Sequence, residues 1–276
     1  MSASAAPAPS SSAIGLIGFG AIGRRLAERF SNDREGPLLA ALLVRERDVA
    51  MASAVAPGAA ITTDTGSFVA ARPDVVVECA SPDTLKTEAP ALLAAGCDII
   101  PLSLGAFADP VAERTLRDAA LRGPGRIEIP AGALGSIGFL AAARENGLEK
   151  VTVTVGYPLE RWAAMEAGRF VDLRSIRAAS VFMQASARRV ALSFPGHLNV
   201  VTAAAMAGLG LDETEVVLVA DPDARQAWFR IDAVSDSGPV SLRVGGREAP
   251  VEEDPVDYTT FSVIRLVKRR SAPIAI

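Results

Sequence analysis

The sequence predicts an α/β protein: a doubly wound parallel sheet, followed by a second α/β domain with a mixed or antiparallel sheet. Three observations lead there. Through residue 130, wholly apolar strand-length runs alternate with helix-spaced segments, the pattern of a parallel sheet covered on both faces. A glycine-rich turn, "GFGAIG", joins the first run to the first helix. From about residue 131 the texture changes to stretches in which apolar and polar residues alternate, as in half-exposed strands.

In order, residues 13–17 form the first apolar strand, and Ile22, Leu26, Ala27 and Phe30 recur at helical spacing after it. "PLLAALLV" (37–44) is the second strand. "SFVAARPDVVVECAS" gives a short helix and a strand at Val75–Glu78, "TLKTEAPALLAAG" a helix ended by Gly96, and "CDIIPLS" a further strand. Beyond it, "GLEKVTVTVGYP", "EVVLVADP" and "AWFRIDAVS" read as half-exposed antiparallel strands, and "GPVSLRVGGREAP" as another with a turn. "SARRVALSFPGHLNVVTAAAMAGLGL" reads as helices broken at Pro195. "DPVDYTTFSVIRLVKRR" is a terminal helix with Phe261, Ile264 and either Val267 or Lys268 on one stripe. Residues 1–12, "MSASAAPAPSSS", lack a basic start and an apolar stretch and read as a disordered tail.

Composition excludes several functions. The net charge of −4 is spread along the chain, which argues against a nucleic-acid surface. No apolar run reaches the roughly 18 residues of a membrane span. Two cysteines and one histidine fit a reducing cytoplasm and leave too few ligands for a zinc site, so no metal is expected. No G-x-S-x-G accompanies the histidine.

The glycine turn carries the chemistry. Gly18 permits a tight turn, Gly20 lets backbone approach a pyrophosphate, and Gly23 lets helix pack close to strand. The helix start at Ala21 and Ile22 presents free N–H groups and the positive end of the dipole. Strand, loop, helix and a following strand in that order predict a Rossmann-type dinucleotide site. The second strand ends "LLVRER". Val44 stands where an NAD site places an acid, and Arg45 and Arg47 would pair with a 2′-phosphate, so NADP(H) is preferred. In the alternative, both arginines are loop charges and Glu46 takes the ribose, giving NAD(H). Cys79 and Ala80 follow a strand and lie near the cofactor; Cys79 is read as a small buried hydrophobe and not as a nucleophile.

Together, "GFGAIG", "VVVECAS", "IIPLSLGAFAD", "IPAGALGSIGFLAAA" and "SARRVALSFPGHLNVVTAAAMAGLGLDETEVVLVADP" resemble the L-aspartate dehydrogenase family over nearly the whole chain after the tail. The resemblance implies NAD(P)-dependent interconversion of aspartate and iminosuccinate. It implies a dinucleotide domain over 13–130, a substrate and dimerisation domain over 131–253, a terminal helix (254–270) returning to the first domain, and a homodimer. It places Ser103 and Gly105 near the nicotinamide, Ala131, Gly132 and Ala133 in a substrate turn, Asn199 beside the active site, and Arg188 as a carboxylate anchor.

The departures bear on chemistry. Phe229 stands where the family carries its acid/base histidine, Tyr157 and Val256 where it carries lysines, and Ala227 where it carries an asparagine. Phenylalanine cannot move a proton, and desolvating two carboxylates without cations is costly. His197, two residues before Asn199, or the phenol of Tyr157 would then supply the proton. A less anionic substrate, or a dinucleotide-binding protein without catalysis, are the alternative readings.

Overall fold

The structure, a computed structural model, describes residues 12–34, 36–145, 147–246 and 258–275. Residues 1–11 of the predicted tail and 254–257 of the predicted terminal helix, Val256 among them, lie outside the described residues. The chain divides into two compact units: 1–103, 114–130 and 258–276 form one, 104–113 and 131–257 the other.

The first unit runs β1 (Ala13–Ile17), α1 (Ala21–Asn32), β2 (Leu38–Leu43), α2 (Val49–Val55), β3 (Ala60–Thr62), α3 (Thr65–Ala70), β4 (Val75–Glu78), α4 (Pro82–Ala94), β5 (Asp98–Pro101) and the later part of α5 (Pro110–Arg122). Its sheet has the order β3-β2-β1-β4-β5 and every pairing is parallel. Apolar runs end up central here because both faces need cover: all of β4 is buried. Helix starts follow local chemistry. Asp64 caps α3 through the Ser67 N–H at 2.8 Å, and Ser81 caps α4 through the Thr84 N–H at 3.1 Å, with Pro82 in the first turn. The sequence pattern did not predict β3, α2 or α5.

The second unit runs α6 (Ile137–Arg144), β6 (Leu148–Tyr157), α7 (Leu159–Ala164), β7 (Ser180–Ser186), α8 (Ala187–Ser193), α9 (Asn199–Ala207), β8 (Glu215–Ala220), β9 (Trp228–Ser235) and β10 (Gly238–Gly245). Its sheet is mixed, in the order β10-β9-β6-β8-β7. Two expectations need correction. β6 is not half-exposed: it is the central strand and is buried on both faces from Val153 to Tyr157. β6 and β8 are also parallel, not antiparallel, because a long crossover through α7, β7, α8 and α9 separates them. The edge strand β7, partly exposed along its length, was not anticipated.

A last helix, α10 (Tyr258–Arg269), belongs to the first unit. Thr260, Val263 and Val267 are its buried face, and the two valines enter the core with Leu26, Phe30 and Leu42. Each buried valine stabilises that docking by about 1.5–3 kcal/mol. Phe261, expected on the stripe, is 50% exposed. Beyond the helix, the Arg270 guanidinium grips Asp98 at 2.7 Å and Glu128 at 2.5 Å.

Candidate functional site

At the carboxyl ends of β1, β2 and β4 lies a cleft of about 650 Å³. It opens where the connection direction reverses between β1 and β4, the switch point at which open α/β sheets bind ligands. The turn after β1 forms its floor. Gly18 has φ +97°, and a Cβ there would come within 2.9 Å of the Ala80 backbone. A Cβ on Gly23 would stand 2.2 Å from the Gly18 carbonyl oxygen and 3.0 Å from Cys79 Sγ. Both glycines are therefore required by the fold. Gly20 differs: a Cβ there would meet nothing within 4 Å. No group among the described residues explains its bare Cα, and the open space above it suits a ligand. Among the described residues the N–H groups of Gly20, Ala21, Ile22 and Gly23 donate to no acceptor; the first to turn inward is Arg24, to the Gly20 carbonyl at 2.9 Å. This floor is a rim of donors at a helix start, made for an anion.

The end of β2 forms one wall, with Val44, Arg45 and Glu46 lining it. Arg45 Nε is paired with Asp48 at 2.9 Å, and its Nη groups donate to nothing among the described residues. Arg47 is 70% exposed and lies 4.0 Å from the same Asp48. Thr63, Thr65, Thr84 and Glu88 make the wall polar, and the Thr65 hydroxyl donates to Glu88.

The β4 side is built around a residue the sequence did not single out. Glu78 is 1% exposed. Its Oε1 accepts from the N–H groups of Ala80 at 2.8 Å and Ser81 at 2.9 Å and from the Ser103 hydroxyl at 2.9 Å. Its Oε2 accepts from the Ser103 N–H at 3.1 Å. Burial pushes its carboxyl up, partly offset by those donors. The signal available was an acid closing the run "VVVE". Cys79 and Ala80 line the cleft. The Cys79 thiol donates to the Ile17 carbonyl at 3.2 Å, and burial with the neighbouring Glu78 charge pushes it up, so it stays protonated.

In the second unit, Tyr157 ends β6 and is 4% exposed. Its ring lies 5.0 Å from Trp162, 6.0 Å edge-on from Phe229, and 4.7 Å beneath the Arg161 guanidinium. Trp162 in turn meets Phe194 at 5.7 Å. Phe194 begins the turn that carries His197, whose backbone N–H returns to the Phe194 carbonyl at 3.0 Å. Leu198, at φ +56°, then reverses the chain into α9. The structure thus gathers Tyr157, Phe229 and the root of the His197 turn around one aromatic cluster. The His197 side chain itself is exposed, with no partner among the described residues. Asn199 opens α9, and its Oδ1 is buried without a donor among the described residues. Ala131, Gly132 and Ala133 lie in a turn closed by the Leu134 N–H on the Ala131 carbonyl at 3.0 Å. Gly105 sits in the short helical turn Leu104–Ala108.

Arg188 finds its partners within the chain. Nε and Nη2 chelate Asp212 at 2.6 and 2.7 Å, Nη2 also reaches Glu113 at 2.9 Å, and Nη1 bonds the carbonyls of Phe107 and Ala108 at 3.2 and 3.0 Å. All five guanidinium N–H groups are committed. In this structure the residue is a tie within its unit.

Among the described residues no cluster of three or more His, Cys, Asp or Glu could hold a metal ion, and no helix is long and apolar enough to cross a membrane. A parallel sheet with this glycine turn, and a cleft with free amides at its helix start, is the framework of a nicotinamide-dinucleotide-dependent oxidoreductase. Comparison with known proteins gives the particular one. Residues 139–270 match the family described as aspartate dehydrogenase, C-terminal, and residues 18–130 match that described as homoserine dehydrogenase, NAD binding domain. The chain is 33% identical to the L-aspartate dehydrogenase of Brucella anthropi, over 96% of this chain and 99% of that one. It is also 33% identical to that of Cupriavidus necator, over 95% and 99%. The crystal structure of aspartate dehydrogenase from Thermotoga maritima shares the fold, with a TM-score of 0.74 at 21% identity, covering 96% and 99% of the two chains. The chain belongs to the aspartate dehydrogenase family.

Proposed function

We propose that the chain interconverts an amino acid and its imine with NADP(H), aspartate and iminosuccinate being the pair. The observation that carries the dinucleotide assignment is Gly20, bare over open space beside unpaired N–H groups. The pair is supported by the names of the relatives over almost the full chain. When bound, the nicotinamide supplies or takes the hydride. The chain does the rest. The N–H groups of Gly20, Ala21 and Ile22 hold the pyrophosphate, and the free Nη groups of Arg45 take the 2′-phosphate. The orphaned Oδ1 of Asn199 accepts from the substrate nitrogen. Tyr157 gives and receives the proton, with His197 as the other candidate.

Two observations favour second readings. Glu46 also lines the cleft and would bind a bare ribose, giving NAD(H). Tyr157 and Val256, standing where the family carries lysines, leave two carboxylates without those cations and favour a less anionic substrate. Two free cysteines support a reducing cytoplasm. Exposed Val181, Val234 and Leu242 on the second sheet, with the family resemblance, support a homodimer.

The test is consumption of NADPH with ammonium and oxaloacetate, set against a panel of other keto acids. Turnover led by oxaloacetate is expected. Tight NADPH binding with no turnover across the panel would leave a binding protein in place of an enzyme. Arg45→Ala should raise the KM for NADPH about tenfold and leave that for NADH unchanged.

A further inference from the structure

The N–H groups of Cys79, Ala80 and Ser81 after β4, and of Leu102 and Ser103 after β5, are all used inside the protein. Cys79 N–H goes to the Ile17 carbonyl at 2.9 Å, and Leu102 N–H to the Glu78 carbonyl at 2.8 Å. Those of Ala80, Ser81 and Ser103 go to the Glu78 carboxylate. The carbonyls of Cys79 and Ala80, in contrast, accept from nothing among the described residues. The two sides of the cleft are therefore opposites. The start of α1 presents N–H donors, and residues 79 and 80 after β4 present carbonyl acceptors.

We propose that Glu78 is a positioning residue that creates this acceptor rim, and that the rim takes the hydroxyl donors of the second ribose, the one on the nicotinamide side. The strand order fixes which ribose is meant. β2 and β4 flank β1 on opposite sides. A dinucleotide with its 2′-phosphate at the end of β2 and its pyrophosphate over the turn after β1 continues toward β4. An acceptor edge suits hydroxyls and repels phosphate, so it also sets the direction in which the ligand lies. A neutral amide cannot replace the carboxylate here. All four hydrogen bonds run toward Glu78, and the NH₂ of a glutamine would face a donor, releasing either the Ser103 amide or the turn.

The proposal rests on reading the cleft as a dinucleotide site, and the experiment separates the two. Binding of NADPH and of adenosine 2′,5′-bisphosphate, which lacks the second ribose, is measured by calorimetry on wild type, Glu78→Gln and Ser103→Ala. For Glu78→Gln the dissociation constant for NADPH should rise about tenfold, with that for the bisphosphate unchanged; Ser103→Ala should show the same selectivity at about threefold. A merely structural defect would weaken both ligands together, and that result overturns the proposal. So does unchanged NADPH affinity in a folded Glu78→Gln. If Glu78→Gln does not fold, Ser103→Ala decides alone, and unchanged affinity there overturns it. A wild type that binds neither ligand, nor NADH, overturns the dinucleotide reading itself.

Discussion

The three glycines of the first turn should separate cleanly in experiment. In Gly23→Ala the new methyl lies 2.2 Å from the Gly18 carbonyl oxygen, far inside the roughly 3.5 Å of a comfortable contact. The helix must shift, and overpacking of this kind costs about 1–3 kcal/mol. Gly18→Ala adds a left-handed φ of +97° to a contact of 2.9 Å, another 1–2 kcal/mol or so. At about 2–4 °C per kcal/mol, both variants should melt several degrees below wild type without ligand. Gly20→Ala meets nothing, and its φ of −74° is open to any residue. Its stability cost is at most about 1 kcal/mol, from the weaker cap. Its methyl instead fills the approach to the free amides, where each charge-assisted hydrogen bond contributes about 1.5–3 kcal/mol. Losing one costs at least about tenfold in affinity. The assay is a thermal melt beside an NADPH titration for each variant. A Gly20→Ala protein that binds NADPH as tightly as wild type would refute the argument, because the open space over Gly20 would then not be where the ligand lies.

Further outcomes follow from other parts of the molecule. Arg188→Lys loses the fork that holds Asp212, Glu113 and two carbonyls and should cost about 2–3 kcal/mol in urea unfolding, less than a fully buried pair because Asp212 is solvent-screened. Hydrogen bonds from Arg188 hold the Asp212 carboxyl below its usual range. That contribution is whole above the ordinary aspartate value near 4 and fades as pH falls through the lower folded value, so wild type should lose more stability on acidification than the variant. Val263→Ala should destabilise by about 2 kcal/mol and Phe261→Ala by less than about 0.5, a contrast readable in the same unfolding experiment. Equal losses would mean that α10 docks by another face. Cys79 should react with iodoacetamide at pH 8 more slowly than a free thiol, and more slowly still with NADPH bound; rapid labelling followed by mass mapping would contradict its half-buried, protonated state.

What the sequence revealed follows how local each signal is. The glycine turn was readable because its parts are consecutive and its neighbours periodic. The parallel sheet was readable because strands buried on both faces are apolar throughout, as in "VVVE". The roles of Glu78 and Arg188 were not. Glu78 acts on Ser103, and Arg188 on Glu113 and Asp212, partners the chain brings together only by folding. Arg188 is an anchor only by the family resemblance, and a lone arginine carries no sign in the sequence of what will pair with it. β7 was missed because an edge strand need not alternate. The stripe of α10 slipped by one position because Phe261 is large and apolar yet turned outward, while Thr260 is polar yet buried.

The placement of α10 has a consequence for biosynthesis. Val263 and Val267 complete a core whose other members, from Ile14 to Leu102, are translated far earlier. A nascent chain can pair β1 through β5 as they emerge, but the patch meant for α10 stays wet until residues 258–269 leave the ribosome. The cofactor-binding half is therefore begun first and finished last. A ribosome stalled between the two would hold out an apolar patch to chaperones.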